Sequence, residues 1–259
     1  LADALGIPPI VAHLLLLRGV ETPDQARRFL RPALAHLSDP LLLTDMQKAV
    51  DRITQARAAG EHVRIFGDYD VDGISAMAIL INGFKRFGLD TVSYGMPHRL
   101  LEGYGLSVDH IDLAASDGVS LIVTVDNGIS AHEAARRARE LGIALIVTDH
   151  HSIEDGLPEA VAVINPKRET AEHPAYPLCG AGVAFKLSTA LNGTPNDLDI
   201  AALGTVADIV PLLGENRAIV ALGLRHIMKH ARLGLERLAA AAGITLDEIS
   251  SEKIGFQLG

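Results

Sequence analysis

The chain has 259 residues, of which 48% are hydrophobic, with a formal net charge of −9 and a single cysteine, Cys179. This length and composition suffice to bury a full core, and no apolar run is long enough to span a bilayer, so we expect no membrane contact. One cysteine excludes an internal disulfide, which favours a reducing cytoplasm. The negative charge argues against general attraction to nucleic acid, but bound divalent ions would offset it locally.

The first 45 residues form a predicted helical arm. Thr22, followed by a proline, is typical of a helix start, and Pro32 and Pro40 end short helical pieces. An amphipathic helix is predicted over residues 45–59, and Gly60 ends it. No residue of the arm suggests chemistry by itself.

From Glu61 to Pro166, predicted strands alternate with predicted helices. The strands are predicted at 62–66, 91–95, 120–125, 144–148 and 161–164. The helices are predicted at 74–87, 107–115 and 130–141, and beyond Pro166 at 180–191, 195–207 and 215–242. Apolar strands joined by helices are typical of a parallel sheet covered on both faces. The predicted fold is therefore α/β, a doubly wound, mostly parallel sheet with an N-terminal helical arm and a helical C-terminal segment.

Three acidic residues, Asp68, Asp70 and Asp72, follow the first predicted strand at alternate positions. They lie at a strand-to-helix turn, which in an open α/β sheet is the edge where ligands bind. Three carboxylates this close repel one another unless a cation holds them, and hard divalent ions prefer carboxylate oxygen. The alternative is an acidic turn in solvent, in which Asp72 and Gly73 serve only the turn and the helix start.

Three further groups of polar residues lie just past predicted elements. They are Asp126-Asn127-Gly128, Asp149-His150-His151, and Asp208 at the end of the run 204–208. Each alone has a simpler explanation, as an ordinary turn, a surface histidine or a helix cap. In a parallel sheet, however, the groups that follow the strands converge on one edge. Oxygen-rich ligation with little imidazole suits Mn²⁺ or Mg²⁺ better than Zn²⁺, and bridging carboxylates suit two ions about 3.5–4 Å apart. The chemistry inferred is phosphoester hydrolysis.

In this order, the four motifs resemble those of the DHH phosphoesterase superfamily, and most closely its RecJ branch of single-strand-specific 5′-to-3′ DNA exonucleases. Further segments are similar to that branch: Arg18-Gly19, 97–99 with 102–105, 179–186, and 208–211 with 215–217. The resemblance covers essentially the whole chain.

The resemblance implies roles for individual residues. Five would bind two ions: Asp68 on one, Asp70, His150 and Asp208 on the other, and Asp126 on both. His151 would face the scissile phosphate, and with Asp126 and His150 it forms the predicted catalytic set. Asp149 would orient the two histidines. Asp72 would either support the site from behind or cap the following helix.

Two further candidates for phosphate contact are predicted, and the sequence departs from the family at one position. Arg99 is a candidate for phosphate binding, although a surface ion pair is its alternative. The backbone N–H groups of Gly180 and Gly182 are candidates too, although such glycines often only permit a tight bend. Some relatives carry a histidine where this chain has Phe66, so the first ion is expected to have fewer protein ligands.

The resemblance implies a metal-dependent exonuclease on single-stranded DNA that releases 5′-mononucleotides in DNA repair and recombination. The alternatives are a phosphoesterase on short oligonucleotides or dinucleotides, and a non-catalytic replication scaffold. Single-strand-binding protein and a helicase are the implied partners, and a monomer is expected. The domains are predicted as an arm over 1–45, the catalytic α/β domain over 46–211, and a helical segment over 212–259. That segment would lead to a substrate-binding domain absent here, so the chain is expected to be the N-terminal catalytic part.

Overall fold

The computed structural model describes residues 1–258 and contains one five-stranded sheet with the order β2-β1-β3-β4-β5. Every neighbouring pair of strands is parallel. The strands are β1 (Val63–Gly67), β2 (Val92–Gly95), β3 (Leu121–Val125), β4 (Ala144–Thr148) and β5 (Ala162–Ile164). The predicted α/β class is confirmed, and no predicted strand end differs from the structure by more than one residue.

Helices surround this sheet and form both ends of the chain. The α-helices are α1 (Ala2–Leu5), α2 (Pro9–Leu16), α3 (Pro23–Leu30), α4 (Met46–Ala59), α5 (Val71–Phe87), α6 (Val108–Ser116), α7 (His132–Glu140), α8 (Gly180–Asn192), α9 (Leu198–Ala207), α10 (Gly214–His230), α11 (Leu233–Ala241) and α12 (Ser251–Lys253). Short 3₁₀ turns lie at Leu34–His36, Pro40–Leu42, Pro166–Arg168 and Leu246–Glu248, and a π turn spans Ile254–Leu258. None of the helices within residues 1–258 is long and apolar enough to cross a membrane.

The single helix predicted over 215–242 is wrong. The chain leaves the helical conformation at Ala231 and Arg232, whose ψ angles are 140° and 151°. The guanidinium of Arg232 donates from Nε to Asp199 Oδ2 at 2.5 Å and from Nη2 to Oδ1 at 2.8 Å. Because the Asp199 side chain is buried in α9, this bidentate pair fixes the corner between α10 and α11.

Strand residues alternate between two hydrophobic clusters, one on each face of the sheet. Val63 and Ile65 of β1 face the larger cluster, together with residues of α4, α5 and α8. Phe66 faces the other cluster, together with residues of α6 and α7. Both faces of the sheet are thus covered, as a doubly wound fold requires.

The order of connections places a crevice between β1 and β3. The chain runs from β1 to β2 on one side and then crosses to β3 on the other side of β1. In open α/β sheets, ligands bind at such a switch point, outside the carboxyl ends of the strands. Asp68 follows β1 and Asp126 follows β3, so both border this crevice.

The arm contacts the C-terminal segment, and the C-terminal segment packs against α9. Arg217 of α10 donates from Nε to the backbone oxygen of Phe29 in α3 at 2.6 Å. Residues of α10 and α11 share a third hydrophobic cluster with α9. The domain limits at residues 45 and 211 stay a prediction.

Asp45 links α4 to the end of the sheet. Its carboxylate pairs with Lys48 at 2.6 Å and with Arg168 at 2.7 Å, and it accepts from the Val163 N–H at 3.3 Å. Burial raises the pKa of Asp45, but the hydrogen bonds from Lys48 and Arg168 outweigh it and lower the pKa to about 2. The folded state therefore favours the ionised form more than the unfolded state does.

We expect Asp45→Asn to reduce the free energy of unfolding by about 2 kcal/mol at pH 7. Asn tolerates the left-handed backbone at this position, where φ is 64°, so the loss comes from the ion pairs. The stabilisation is complete above the ordinary pKa near 3.8 and disappears as the pH falls toward about 2. Urea unfolding from pH 7 to pH 3 measures it, with the exposed Asp90→Asn as control. If the free energy of unfolding of Asp45→Asn differs from that of the parent by the same amount at every pH, the ion-pair explanation is contradicted.

Candidate metal centre

Carboxylates and imidazoles from four segments meet at the crevice between β1 and β3. Asp68 and Asp70 lie in the turn between β1 and α5, and Asp126 follows β3 directly. His150 follows β4, and Asp208 ends α9. The parallel sheet brings the first four to one edge, and α9 brings the fifth from beyond the sheet.

Together with Asp72 and His151, these residues form three overlapping clusters, and within each cluster the possible ligand atoms lie within 4.8 Å of one another. The clusters are Asp68 with Asp70 and Asp126, Asp126 with His150 and His151, and Asp72 with His150 and Asp208. His150 Nε2 lies 3.1 Å from Asp126 Oδ1, and 3.8 Å from both Asp72 Oδ2 and Asp208 Oδ2. Asp126 and His150 each belong to two clusters, which is the geometry that a pair of ions with a shared ligand needs.

The structure does not assign Asp70 to one ion. The resemblance implies that it shares an ion with His150 and Asp208, and, besides burial, its charge does raise the pKa of Asp208, but its carboxylate is grouped with Asp68 and Asp126. Asp70 is the N-cap of α5 and accepts from the Gly73 N–H at 2.9 Å, which fixes the orientation of its carboxylate. The assignment of ligands to individual ions stays a prediction.

The buried carboxylates lack partners that a cation would supply. Within residues 1–258, Asp126 Oδ1 and Asp208 Oδ2 are buried without a hydrogen bond. Burial, together with the charge of Asp72, raises the pKa of Asp126 to about 10 and that of Asp208 to about 6. Burial likewise raises the pKa of Asp68 and of Asp72. Leaving such groups ionised and uncompensated is costly, so the donor set fits divalent cations.

Asp72 lies behind the centre and joins it to α8. Its Oδ2 accepts from the Gly180 N–H at 2.6 Å, and its Oδ1 accepts from the Ala181 N–H at 2.9 Å. A carboxylate at a helix N-terminus is stabilised by these otherwise unpaired N–H groups. Since Asp70 caps α5, the contacts of Asp72 favour the supporting role of the two left open above.

The glycine turn at the start of α8 serves close packing. The Gly180 N–H is bonded to Asp72, so the structure does not offer it to a phosphate as predicted. A Cβ at Gly180 would lie 2.5 Å from the Cβ of Asp126, and one at Gly182 would lie 3.0 Å from Leu178. Both glycines are buried, and the space beside Gly180 is what allows α8 to approach Asp126.

We expect Gly180→Ala to lower the affinity for Mn²⁺ by about 10–100-fold, because the new methyl group must displace Asp126. The overpacking should also cost about 1–3 kcal/mol of stability. Calorimetric titration with Mn²⁺ measures the first effect and thermal unfolding the second. Gly234→Ala is the control, since a Cβ there has no neighbour within 4 Å. Unchanged Mn²⁺ affinity in Gly180→Ala would refute the close approach of α8 to Asp126.

Asp149 orients both histidines of its motif. Its Oδ1 accepts from the His150 N–H at 2.7 Å and from the His151 N–H at 3.1 Å, and it lies 2.7 Å from His151 Nδ1. This carboxylate raises the pKa of His151 to about 9, against the opposing effect of burial. Burial raises the pKa of Asp149, but its bonds to His151 outweigh it, so the net shift is downward. The imidazole is therefore held protonated, with Nδ1 turned to Asp149.

Tyr104 is a site residue that the sequence analysis did not single out as one. Its hydroxyl donates to the backbone oxygen of Asp126 at 3.1 Å and lies 3.3 Å from His151 Nδ1. Burial raises the pKa of Tyr104, so the phenol keeps its proton. The only signal in the sequence was its place in the segment 102–105, where Gly103 and Gly105 flank it. No periodicity connects that loop to β3.

Arg99 is exposed to solvent, whereas Phe66 is buried. The exposed Arg99 has its guanidinium carbon 5.2 Å from the ring centroid of Tyr69, and it pairs with no carboxylate in the described part of the chain. Phe66 is buried, with its ring 4.6 Å from that of His110. Its ring belongs to the hydrophobic cluster under α6 and α7, so position 66 is occupied by a core residue. Phosphate binding by Arg99 and weaker ion binding near Phe66 stay predictions.

The chain matches known proteins over this region and beyond it. The model of the DHH family, N-terminal domain, matches residues 62–207. The chain is 42% identical over 260 residues to the single-stranded-DNA-specific exonuclease RecJ of Bacillus subtilis, covering all of this chain and 33% of that protein. It is 36% identical to the exonuclease RecJ of Escherichia coli, covering 98% of this chain and 46% of that protein. It thus spans a third to about half of the length of these curated relatives.

Solved structures of exonuclease RecJ also align with most of the chain. RecJ of Thermus thermophilus in complex with Mn²⁺ aligns with a TM-score of 0.82 at 33% identity, covering 99% of this chain and 37% of that chain. An exonuclease RecJ bound to manganese aligns with a TM-score of 0.77 at 36% identity, covering 87% of this chain and 57% of that chain. A more distant DHH domain, from a protein of the s1p family of ribosomal proteins, aligns with a TM-score of 0.60 at 16% identity and shares the fold alone.

Proposed function

Because the chain belongs to the DHH family, we propose that it is the catalytic core of a metal-dependent exonuclease. It hydrolyses single-stranded DNA from the 5′ end and releases 5′-mononucleotides, in DNA repair and recombination. The observation that carries the proposal is the buried carboxylate–imidazole centre at the switch point of the sheet, with orphaned oxygens on Asp126 and Asp208. The similarity to single-stranded-DNA-specific exonucleases supports the class of substrate.

The residues that would hold two ions of Mn²⁺ or Mg²⁺ are Asp68, Asp70, Asp126, His150 and Asp208. The manganese in the relatives' structures supports this choice of metal. When bound, such ions activate water as a nucleophile and neutralise charge on a phosphate. The protein orients two of the carboxylates through backbone N–H groups, because Gly73 donates to Asp70 and Gly180 donates to Asp72.

His151 acts on the phosphate in this proposal. Asp149 fixes the ring through Nδ1, so Nε2 is left to donate a hydrogen bond. The raised pKa of His151 keeps the imidazole charged at neutral pH, and a charged donor stabilises the negative charge that develops on phosphate oxygens. Tyr104 lies beside this pair, with its hydroxyl 3.3 Å from His151 Nδ1.

The proposal includes the setting of the enzyme. It acts as a monomer in the cytoplasm and takes its strands from a single-strand-binding protein and a helicase. Support for this part comes from the resemblance to the RecJ branch.

Product analysis tests the proposal. Single-stranded DNA labelled at the 5′ or the 3′ end is incubated with the protein and Mn²⁺, next to a dinucleotide substrate and an Asp126→Asn control. Prompt release of labelled mononucleotide from the 5′ end, absent in the control, is expected. Release from the 3′ end first would overturn the polarity, and cleavage of the dinucleotide alone would move the assignment to a short-oligonucleotide phosphoesterase. No cleavage of either substrate would overturn the enzyme assignment.

A further inference from the structure

A cleft of about 240 Å³ lies between the arm and the start of α10, apart from the metal centre. Gly19 and helix α3 line one side of it, and Gly214 and Arg217 line the other. Arg28 of α3 also lines the cleft, so it holds two guanidinium groups. The fold thus joins the segments Arg18-Gly19 and 215–217, which the sequence analysis noted and the proposed reaction does not use.

The arginines of this cleft pair with no carboxylate in residues 1–258, although the chain carries a net charge of −9. Arg217 instead lies over the ring of Phe29, with its guanidinium carbon 3.7 Å from the ring centroid. The adjacent Arg27 shows the contrast, because it pairs with Asp24 at 2.6 Å. Guanidinium groups gathered without a counterion indicate a place for an anion.

Arg18 adds a third positive charge beside the cleft. Its Nη1 donates to the backbone oxygen of Leu14 at 3.2 Å. Burial lowers the pKa of Arg217, and the charge of Arg18 lowers it further. Two like charges that affect one another in this way are stabilised when an anion binds between them.

The N-terminus of α10 opens into the same cleft. Leu213 is its N-cap and gives no side-chain hydrogen bond, so the first N–H groups lack the usual cap. A Cβ at Gly214 would have no neighbour within 4 Å, which means that the space beside it is open. The end of a 17-residue helix adds partial positive charge to that of the arginines.

We propose that this cleft binds a phosphate group of the single strand whose 5′ end reaches the metal centre. The inference rests on the proposed function. Gly214 follows Asp208 by six residues, and an extended chain of that length spans at most about 20 Å. The two sites are therefore close enough for one flexible strand to contact both. The planar guanidinium group of arginine matches the geometry of phosphate oxygens, so Arg28 and Arg217 contact the DNA backbone and no base.

The test measures binding of a fluorescent single strand to the intact protein, without cleavage, over a range of salt concentrations. The variants are Arg28→Gln, which changes an exposed side chain, and Arg217→Lys, which keeps the charge but loses the planar guanidinium group. Arg139→Gln is the control, because Arg139 is exposed and pairs with Glu159 on another face. Arg28→Gln is expected to weaken binding about 3–10-fold and to reduce the slope of log K against log salt by about 0.7. Arg217→Lys should weaken binding while leaving the slope nearly unchanged.

The inference is overturned if Arg28→Gln binds the single strand with the same affinity and the same slope of log K against log salt as Arg139→Gln. Weaker binding by Arg28→Gln with an unchanged slope would overturn it too, because the loss would then not come from a phosphate contact. A second readout is the ratio of kcat/KM for a long strand to that for a dinucleotide, which should fall in both cleft variants. If the parent cleaves neither substrate, the proposed function fails. The binding measurement still decides whether the cleft binds the single strand.

Discussion

Asp126→Asn is expected to reduce kcat/KM on single-stranded DNA by about 10³-fold or more, while the metal-free protein becomes more stable. Asp126 belongs to two of the three ligand clusters, so its loss affects both ion positions. Its pKa is raised to about 10, so the folded state retains a proton that the unfolded state releases. Raising the pH from about 4 toward 10 therefore destabilises the metal-free parent, and asparagine removes this effect.

Thermal unfolding with and without Mn²⁺ separates the two effects. Without metal at pH 8, Asp126→Asn should unfold at a Tm higher than the parent's by about 2–4 °C, which corresponds to roughly 1 kcal/mol in a chain of this size. With Mn²⁺, the parent should gain stability by mass action and the variant should gain almost none. The exposed Asp90→Asn controls for the change of charge. A variant that keeps the full Mn²⁺ shift would show that Asp126 is no ligand.

The centre of the sheet was predictable because β3 and β4 are short apolar runs, each followed directly by an aspartate. The strand β4, for instance, was predicted with its observed bounds, since Asp149 follows the run directly. The convergence of Asp68, Asp126 and His150 followed from one rule, that parallel strands present their carboxyl ends at a common edge. That rule needs only local pattern and chain order, which a sequence contains.

Contacts between distant segments were not predictable in the same way. Asp72 accepts from the N-terminus of α8, more than a hundred residues along the chain, and no periodicity indicates such a pair. The break of the helix at Arg232 depends on Asp199, in a different helix. Both cases involve a buried polar group whose partner is chosen by tertiary packing, and packing overrides local propensity.

A buried ion pair joins α8 to α10 in the same long-range manner, and Ser38 of the arm is bonded to both of its members. Lys186 of α8 and Glu215 of α10 contact each other with both side chains almost fully buried. Ser38 joins them, because its backbone oxygen accepts from Lys186 Nζ at 2.8 Å and its N–H donates to Glu215 Oε1 at 3.1 Å. Burial lowers the pKa of Lys186, and the charge of Glu215 opposes that shift. Each charge is therefore tolerable only because the other is present.

Lys186→Met should lower the free energy of unfolding by about 3–5 kcal/mol, because it leaves Glu215 buried and ionised without a partner. The double variant Lys186→Met with Glu215→Gln should recover most of this loss, since the amide oxygen still accepts from Ser38 and no charge is left unpaired. Urea unfolding followed by circular dichroism compares them, with the exposed Lys85→Met as control. If the double variant is as unstable as the single one, the pair acts through packing alone. Recovery would mean that α8 and α10 are held together beside Ser38 by the mutual neutralisation of two buried charges.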